Sequence, residues 1–195
     1  MINIKPSARS QAFELTKDNE NPLDLSNHLP FRVAVVSNLL ALNRDWKIRN
    51  LSELDPREMR VLLNIGSYMP IKSADIAYQS RLDSYTVSRA VKKLLSLDLI
   101  KTQADSHKKN VKNLLLNDKG KTIYHQVVRA MEARSKQLES VLSEEELLQF
   151  YAMLEKVENK AEQLLAEQAT SLIHDGFDAP ADQKELIRWY KKSAS

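Results

Sequence analysis

Within nine positions, Ser84, Tyr85, Thr86, Ser88, Arg89 and Lys92 offer hydroxyls and cations, and no acid interrupts residues 84–97. Hydroxyls both donate and accept, and a guanidinium presents a planar fork of donors that fits paired acceptors such as guanine O6 and N7. Lys93 beside them and Ser73 upstream are of the types that meet phosphate oxygens. This is the chemistry of recognition. Nothing in the chain supplies bond-making chemistry: there is no phosphate-cradling glycine loop, no nucleophile elbow and no paired-carboxylate segment. No enzymatic activity and no cofactor are expected.

Such side chains act together only if one element aims them the same way. Val87, Val91, Leu94 and Leu95 recur at helical spacing, so residues 84–97 are predicted to form a helix with those four inward. Asp83 is its N-cap, and Asp98 stands at its C-terminal end, where a left-handed residue is common. A short helix at 73–79, with Ile76 and Ala77 inward, precedes it across a turn made by RLD. Upstream, Asp55, Pro56 and Glu58 form a cap, first-turn proline and capping box for a helix through Met59, Leu62, Leu63 and Ile65. Downstream, residues 99–104 and 111–116 flank the loop DSHKKN and read as a β-hairpin with a long tip carrying His107, Lys108 and Lys109. Helix, short helix, tight turn, helix and hairpin make a winged helix-turn-helix over residues 51–116. Its second helix is placed to enter a major groove.

The charge distribution agrees. Residues 72–113 carry nine Lys or Arg and four acids, a net +5, while the whole chain stands at +3. A basic patch on an otherwise slightly acidic molecule is the footprint of a polyanion partner. The recognition face and the basic hairpin tip converge on one ligand, which favours a duplex over a small anion.

The flanks are predicted to be helical. Residues 1–28 form a polar arm, and Phe31, Val35, Leu39, Leu42 and Trp46 mark one long helix over 29–49. Asn117 caps another helix to about residue 141, and Ser143 with Glu146 forms a second capping box. In the helix that follows, Leu147, Phe150, Leu154, Val157, Ala161 and Leu164 step by three and four as a heptad seam does. That seam packs either within one chain or against a second copy. Residues 175–195 form a tail with one more helix, carrying Leu186, Ile187 and Tyr190 on one side. Its basic RWYKK reads as a frayed or docked helix rather than a DNA or membrane contact.

The absence of cysteine excludes disulfides, thiol catalysis and Cys-bearing metal sites. His28, His107, His125 and His174 lack metal-ligand spacing, so no metal site is expected. No apolar run reaches the ~18 residues of a membrane span, and a cytoplasmic location without membrane partners is expected.

In TVSRAVKKLLSLDLI, the basic hairpin and LNDKGKTIY, taken in that order, residues 29–167 resemble the MarR family of bacterial transcriptional regulators. The last stretch stands where that family has a Leu-Thr-x-x-Gly helix start. The resemblance implies a mostly α fold with a small β-hairpin wing, and a homodimer built by long N- and C-terminal helices, here 29–50 and 117–174. It further implies a repressor on a pseudo-palindromic duplex operator, with Ser84, Tyr85, Thr86, Ser88, Arg89 and Lys92 reading DNA. His107, Lys108 and Lys109 would then act from the wing, and Leu147 to Leu164 would form the dimer seam. A small aromatic or phenolic effector is implied between the dimer helices and the winged region; Arg32, Arg44, Trp46 and Tyr68 lie on segments bordering such a place, and none is assigned to it. The chain departs from the family at the wing, where Lys108 and Asn110 replace the usual Asp and Arg, and at Asp98, often a glycine. Those departures leave a second reading, a winged-helix protein-interaction module without specific DNA binding. Tyr85 also stays open between a base contact and a core-edge aromatic.

Overall fold

The computed structural model describes residues 12–104 and 112–193. The wing-tip residues His107, Lys108 and Lys109 and the first eleven residues of the arm lie outside the described residues. The chain divides into two units, Met1–Trp46 and Lys47–Ser195.

In the first unit, α1 (Leu29–Leu40) carries Pro30 in its first turn and is followed by a 3-10 turn, Leu42–Arg44. A single helical turn, α2 (Trp46–Arg49), spans the division between the units. The single helix expected over 29–49 is therefore broken. Ala41, at ψ 128°, leaves the helical region, and Asn43 and Asp45 favour turns over helix interiors. The apolar residues of α1 also fall on several sides, with Leu29, Val33, Val36, Leu39 and Leu40 all exposed, so no single stripe holds one long axis.

The second unit has its core under the helix-turn-helix. Helix α3 (Pro56–Tyr68) starts on the expected capping box: Asp55 accepts from the Arg57 and Glu58 amides at 2.8 Å, and Glu58 accepts from the Asp55 amide at 2.9 Å. It buries Met59, Val61, Leu62 and Ile65 and packs on α4 (Ser73–Ser80), α5 (Ser84–Ser96), α6 (Asp118–Glu139) and the hairpin. Strands β1 (Ile100–Ala104) and β2 (Lys112–Leu116) pair antiparallel, Ile100 opposite Leu116 and Ala104 opposite Lys112. Ile71 adds a bridge to Leu114, and the two exchange backbone hydrogen bonds of 2.8 and 3.3 Å. Ile71, Ile76, Val87, Leu94, Leu99, Ile100, Leu114 and Leu116 close the core beneath the wing. Fully burying one such aliphatic side chain is worth about 1.5–3 kcal/mol, enough in combination to hold the helix-turn-helix rigid.

Asn117 caps α6 by accepting from the Gly120 amide at 2.9 Å, while its own amide donates to the Leu99 carbonyl at 3.1 Å. These bonds draw the start of α6 onto the Leu99 backbone. A Cβ at residue 120 would overlap the Leu99 carbonyl oxygen, so the glycine of LNDKG is required by close approach. Gly120→Ala is expected to destabilise the fold by about 2 kcal/mol or more, as overpacking against backbone does. Denaturant unfolding checks it; an unchanged midpoint would mean that α6 shifts without cost.

Helix α7 (Glu144–His174) starts on the second capping box, where Ser143 and Glu146 each accept from the other's amide. After the turn at Gly176, α8 (Ala181–Ser193) folds back on α7 and covers Glu162, Ala166 and Ala169. Leu186, Ile187 and Tyr190 are half-buried there. Among the described residues no helix is long and apolar enough to cross a membrane.

Candidate nucleic-acid interface

Helix α5 is aimed from below. Val87, Ala90 and Leu94 are buried and Val91 is half-buried, giving a stripe at i, i+3, i+4 and i+7. Leu95 is 40% exposed, which corrects the expectation that it faces inward; Ala90 takes that place in the stripe. The opposite face then carries Ser84, Tyr85, Ser88, Arg89 and Lys92, all exposed, with Lys93 beside them. Tyr85 is 71% exposed, so the core-edge reading of its ring falls away. The Arg89 guanidinium lies 5.8 Å from the Tyr85 ring centroid, close enough for the ring to steady the cation.

Thr86 behaves differently from its neighbours. It is half-buried, its hydroxyl donates to Asp83 Oδ2 at 2.7 Å and its amide to Asp83 Oδ1 at 2.8 Å. The Thr86 hydroxyl therefore serves the helix cap first. That same hydrogen bond, with the amide behind it, holds the Asp83 carboxyl below its ordinary value of 3.8. A carboxylate depressed in the fold stabilises it above the unfolded value, and the contribution is lost as pH falls through the folded one. Asp83→Ala is expected to cost about 1 kcal/mol at neutral pH, and the gap to wild type should close below about pH 4 in thermal unfolding. A pH-independent gap would mean that the cap is not ionic.

The turn before α5 is held by a set of contacts that local pattern does not reveal. Arg81 adopts the left-handed conformation at φ 52° and donates to the Tyr78 carbonyl. Its guanidinium ion-pairs with Glu162 of α7 at 2.9 Å and lies over the rings of Tyr78 and Trp189, at 4.5 and 5.8 Å. Glu162, 5% exposed, also accepts from the Ser193 hydroxyl. Glu185 of α8, 6% exposed, accepts from the Ser84 amide at 3.1 Å, so a carboxylate sits on the first turn of α5 where the helix dipole favours an anion. Lys192 pairs with Asp75 at 3.3 Å, and the Tyr78 hydroxyl shares a 2.9 Å hydrogen bond with Ser193. Buried charges at Glu162 and Glu185 lie inside a heptad pattern and a polar tail, and only their distant partners single them out. Ser73, assigned to phosphate, is exposed at the first position of α4.

The predicted seam lies on α7 with Phe150, Leu154, Val157, Ala161 and Leu164 exposed and Leu147 half-buried. Leu148, Tyr151, Met153 and Leu165 are exposed beside them. A separate open surface groove of about 360 Å³ lies between α3 and α4, lined by Arg60, Leu63, Asn64, Ser67, Tyr68, Gln79 and Ser80. Asn64 donates to the Arg60 carbonyl at 2.9 Å, while its buried Oδ1 has no hydrogen-bond partner among the described residues. Among the four residues bordering the implied effector site, Tyr68 lines this groove. Among the described residues, no group of three or more His, Asp or Glu could hold a metal ion.

No protein-family model and no curated protein matches this sequence. Solved structures do match its fold. A MarR/EmrR family transcriptional regulator from Acinetobacter sp. ADP1 is 25% identical with a TM-score of 0.66, covering 72% of this chain and 99% of its own. A putative MarR family regulator from Listeria monocytogenes, complexed with 26mer DNA, is 22% identical with a TM-score of 0.64, covering 79% of this chain and 98% of its own. The PcaV transcriptional regulator from Streptomyces coelicolor, in complex with its natural ligand, is 17% identical with a TM-score of 0.61, covering 72% and 99%. The chain has the winged helix fold of MarR-family transcriptional regulators.

Proposed function

We propose that this protein is a sequence-specific DNA-binding transcriptional regulator, a homodimeric repressor on a pseudo-palindromic operator whose affinity is set by a small aromatic effector. The observation that carries it is α5: an acid-free outer face of Ser84, Tyr85, Ser88, Arg89 and Lys92 on a helix fixed by Val87, Ala90 and Leu94. Hydroxyls and an Arg on the leading turns suit base edges, and Lys92, Lys93 and Ser73 suit phosphates. Thr86 is placed in the cap with a secondary part in reading DNA. The same-fold regulator complexed with 26mer DNA supports a duplex partner. Support for the dimer comes from the apolar side chains that α7 leaves exposed. Fluorescence anisotropy on a labelled duplex across a salt series tests the reading. Tight binding with log affinity falling steeply against log salt is expected, at about 0.9 per neutralised phosphate. Salt-independent or absent binding would overturn it.

The α3–α4 groove is offered as the effector site. Its volume is in the range of small-molecule pockets. Arg60 supplies a cation for a carboxylate and the exposed Tyr68 an aromatic edge. The PcaV complex with its natural ligand supports ligand response on this fold. With 2-hydroxybenzoate as probe, calorimetry is expected to show binding that Arg60→Ala weakens about tenfold or more, the worth of a charged hydrogen bond. Equal binding by the two proteins would remove Arg60 from the site.

A further inference from the structure

Helix α8 presents two stripes. Glu185, Trp189 and Ser193, spaced by four, touch the helix-turn-helix or the acid that anchors it: Glu185 meets the Ser84 amide, the Trp189 ring lies beside Arg81, and Ser193 bonds Tyr78 and Glu162. On the solvent side of the helix run Lys184, Arg188 and Lys191, spaced by four and three and all exposed. Of the three, Arg188 lies nearest the docked face, ~60° around the helix from Glu185. The nearby acids are already engaged: Glu162 with Arg81, Asp75 with Lys192, Glu185 with Ser84. Glu185 uses its other oxygen 3.7 Å from the Arg188 guanidinium, so one carboxylate joins Arg188 to the first turn of α5. Arg188 stays 71% exposed, and the partner of Lys184 is the exposed Asp178, at 2.6 Å. The Lys184–Asp178 pair is exposed on both sides, and such a pair is worth little and exchanges readily for a phosphate.

We infer that α8 is a second DNA-contacting element, whose Lys184–Arg188–Lys191 stripe grips duplex phosphates beside the recognition helix α5. Glu162 and Glu185 serve to dock the helix, and Lys184, Arg188 and Lys191 stay exposed to a ligand. Phosphate contacts fix register and add affinity without reading bases. The inference rests on the DNA-binding reading proposed above.

The test is anisotropy of the full chain on two duplexes, its preferred sequence and a scrambled one, across a salt series. The variant combining Lys184→Gln, Arg188→Gln and Lys191→Gln is expected to bind both duplexes about tenfold or more weakly, at an unchanged ratio between them. Its salt slope should be shallower by up to ~0.9 for each phosphate that the stripe no longer neutralises. Trp189→Ala, which loosens the docked face, is expected to weaken binding in the same direction. Unchanged affinity and slope in the triple variant would overturn the inference while leaving the DNA-binding reading intact. Tighter binding by Trp189→Ala would overturn it too, because α8 would then be shielding α5. No binding by the wild-type chain would remove both readings together.

Discussion

Leu154→Glu is expected to turn the protein into a monomer at micromolar concentration and to abolish tight operator binding. Leu154 is 41% exposed on α7, among Phe150, Val157 and Leu164 at 42, 38 and 45%. A contiguous apolar stripe of that extent on one helix marks a surface that another surface covers. In a two-fold dimer each residue meets the same interface from both sides, so one substitution buries two unpaired carboxylates. At about 3 kcal/mol or more for each buried charge left without a partner, the dissociation constant would rise roughly ten-thousandfold. The monomer would retain one recognition helix and lose the cooperation of two half-sites. Light scattering reads the mass directly. A dimeric mass for the variant would contradict the seam, and correct binding by a monomer would contradict the two-fold operator.

Arg89→Ala is expected to cost about 1–3 kcal/mol of discrimination, the value of a bidentate Arg–guanine contact, or roughly ten- to hundredfold on the preferred duplex. Loss on a scrambled duplex should be much smaller, because Lys92, Lys93 and Ser73, the phosphate contacts proposed above, remain. The side chain is exposed and its described contact is the Tyr85 ring, so removing it leaves the buried stripe of α5 untouched. Circular dichroism and dimer mass should be unchanged. Equal losses on both duplexes would make Arg89 a phosphate contact, and no loss would take it out of the interface.

What could be read before the fold was known follows from the range of each interaction. The caps at Asp55, Asp83, Asn117 and Ser143 are three-residue signals, and all four close the hydrogen bonds that their spacing implies. The left-handed Asp98, at φ 53°, is equally local. The outer face of α5 was legible because a 13-residue helix with one buried stripe leaves the rest by subtraction. Leu95 was misplaced because it sits one step beyond that stripe, where the packing of neighbours decides. The break at Ala41 has a related reason: an i, i+4 ladder of apolar residues runs through it, yet Val33, Val36 and Leu40 lie off that ladder and Asn43 and Asp45 favour a turn just beyond it. The docking of α8 was least legible. Glu162 and Glu185 read as solvated acids in any local window; Arg81 and the Ser84 amide, 81 and 101 positions away in sequence, give them a reason to be buried. The α3–α4 groove was likewise invisible except through Tyr68, since a concave surface has no sequence period.

Sequence-specific reading of a two-fold site by paired α5 helices is tested most directly by selecting bound duplexes from a random-sequence pool. The expected result is enrichment of an inverted repeat whose half-site centres lie one helical turn apart, ~10 base pairs, with enrichment at the half-site guanines lost for Arg89→Ala. A pool that stays random after repeated rounds would contradict specific DNA recognition and favour the protein-interaction module, with Lys108 and Asn110 in the wing as the departure to pursue.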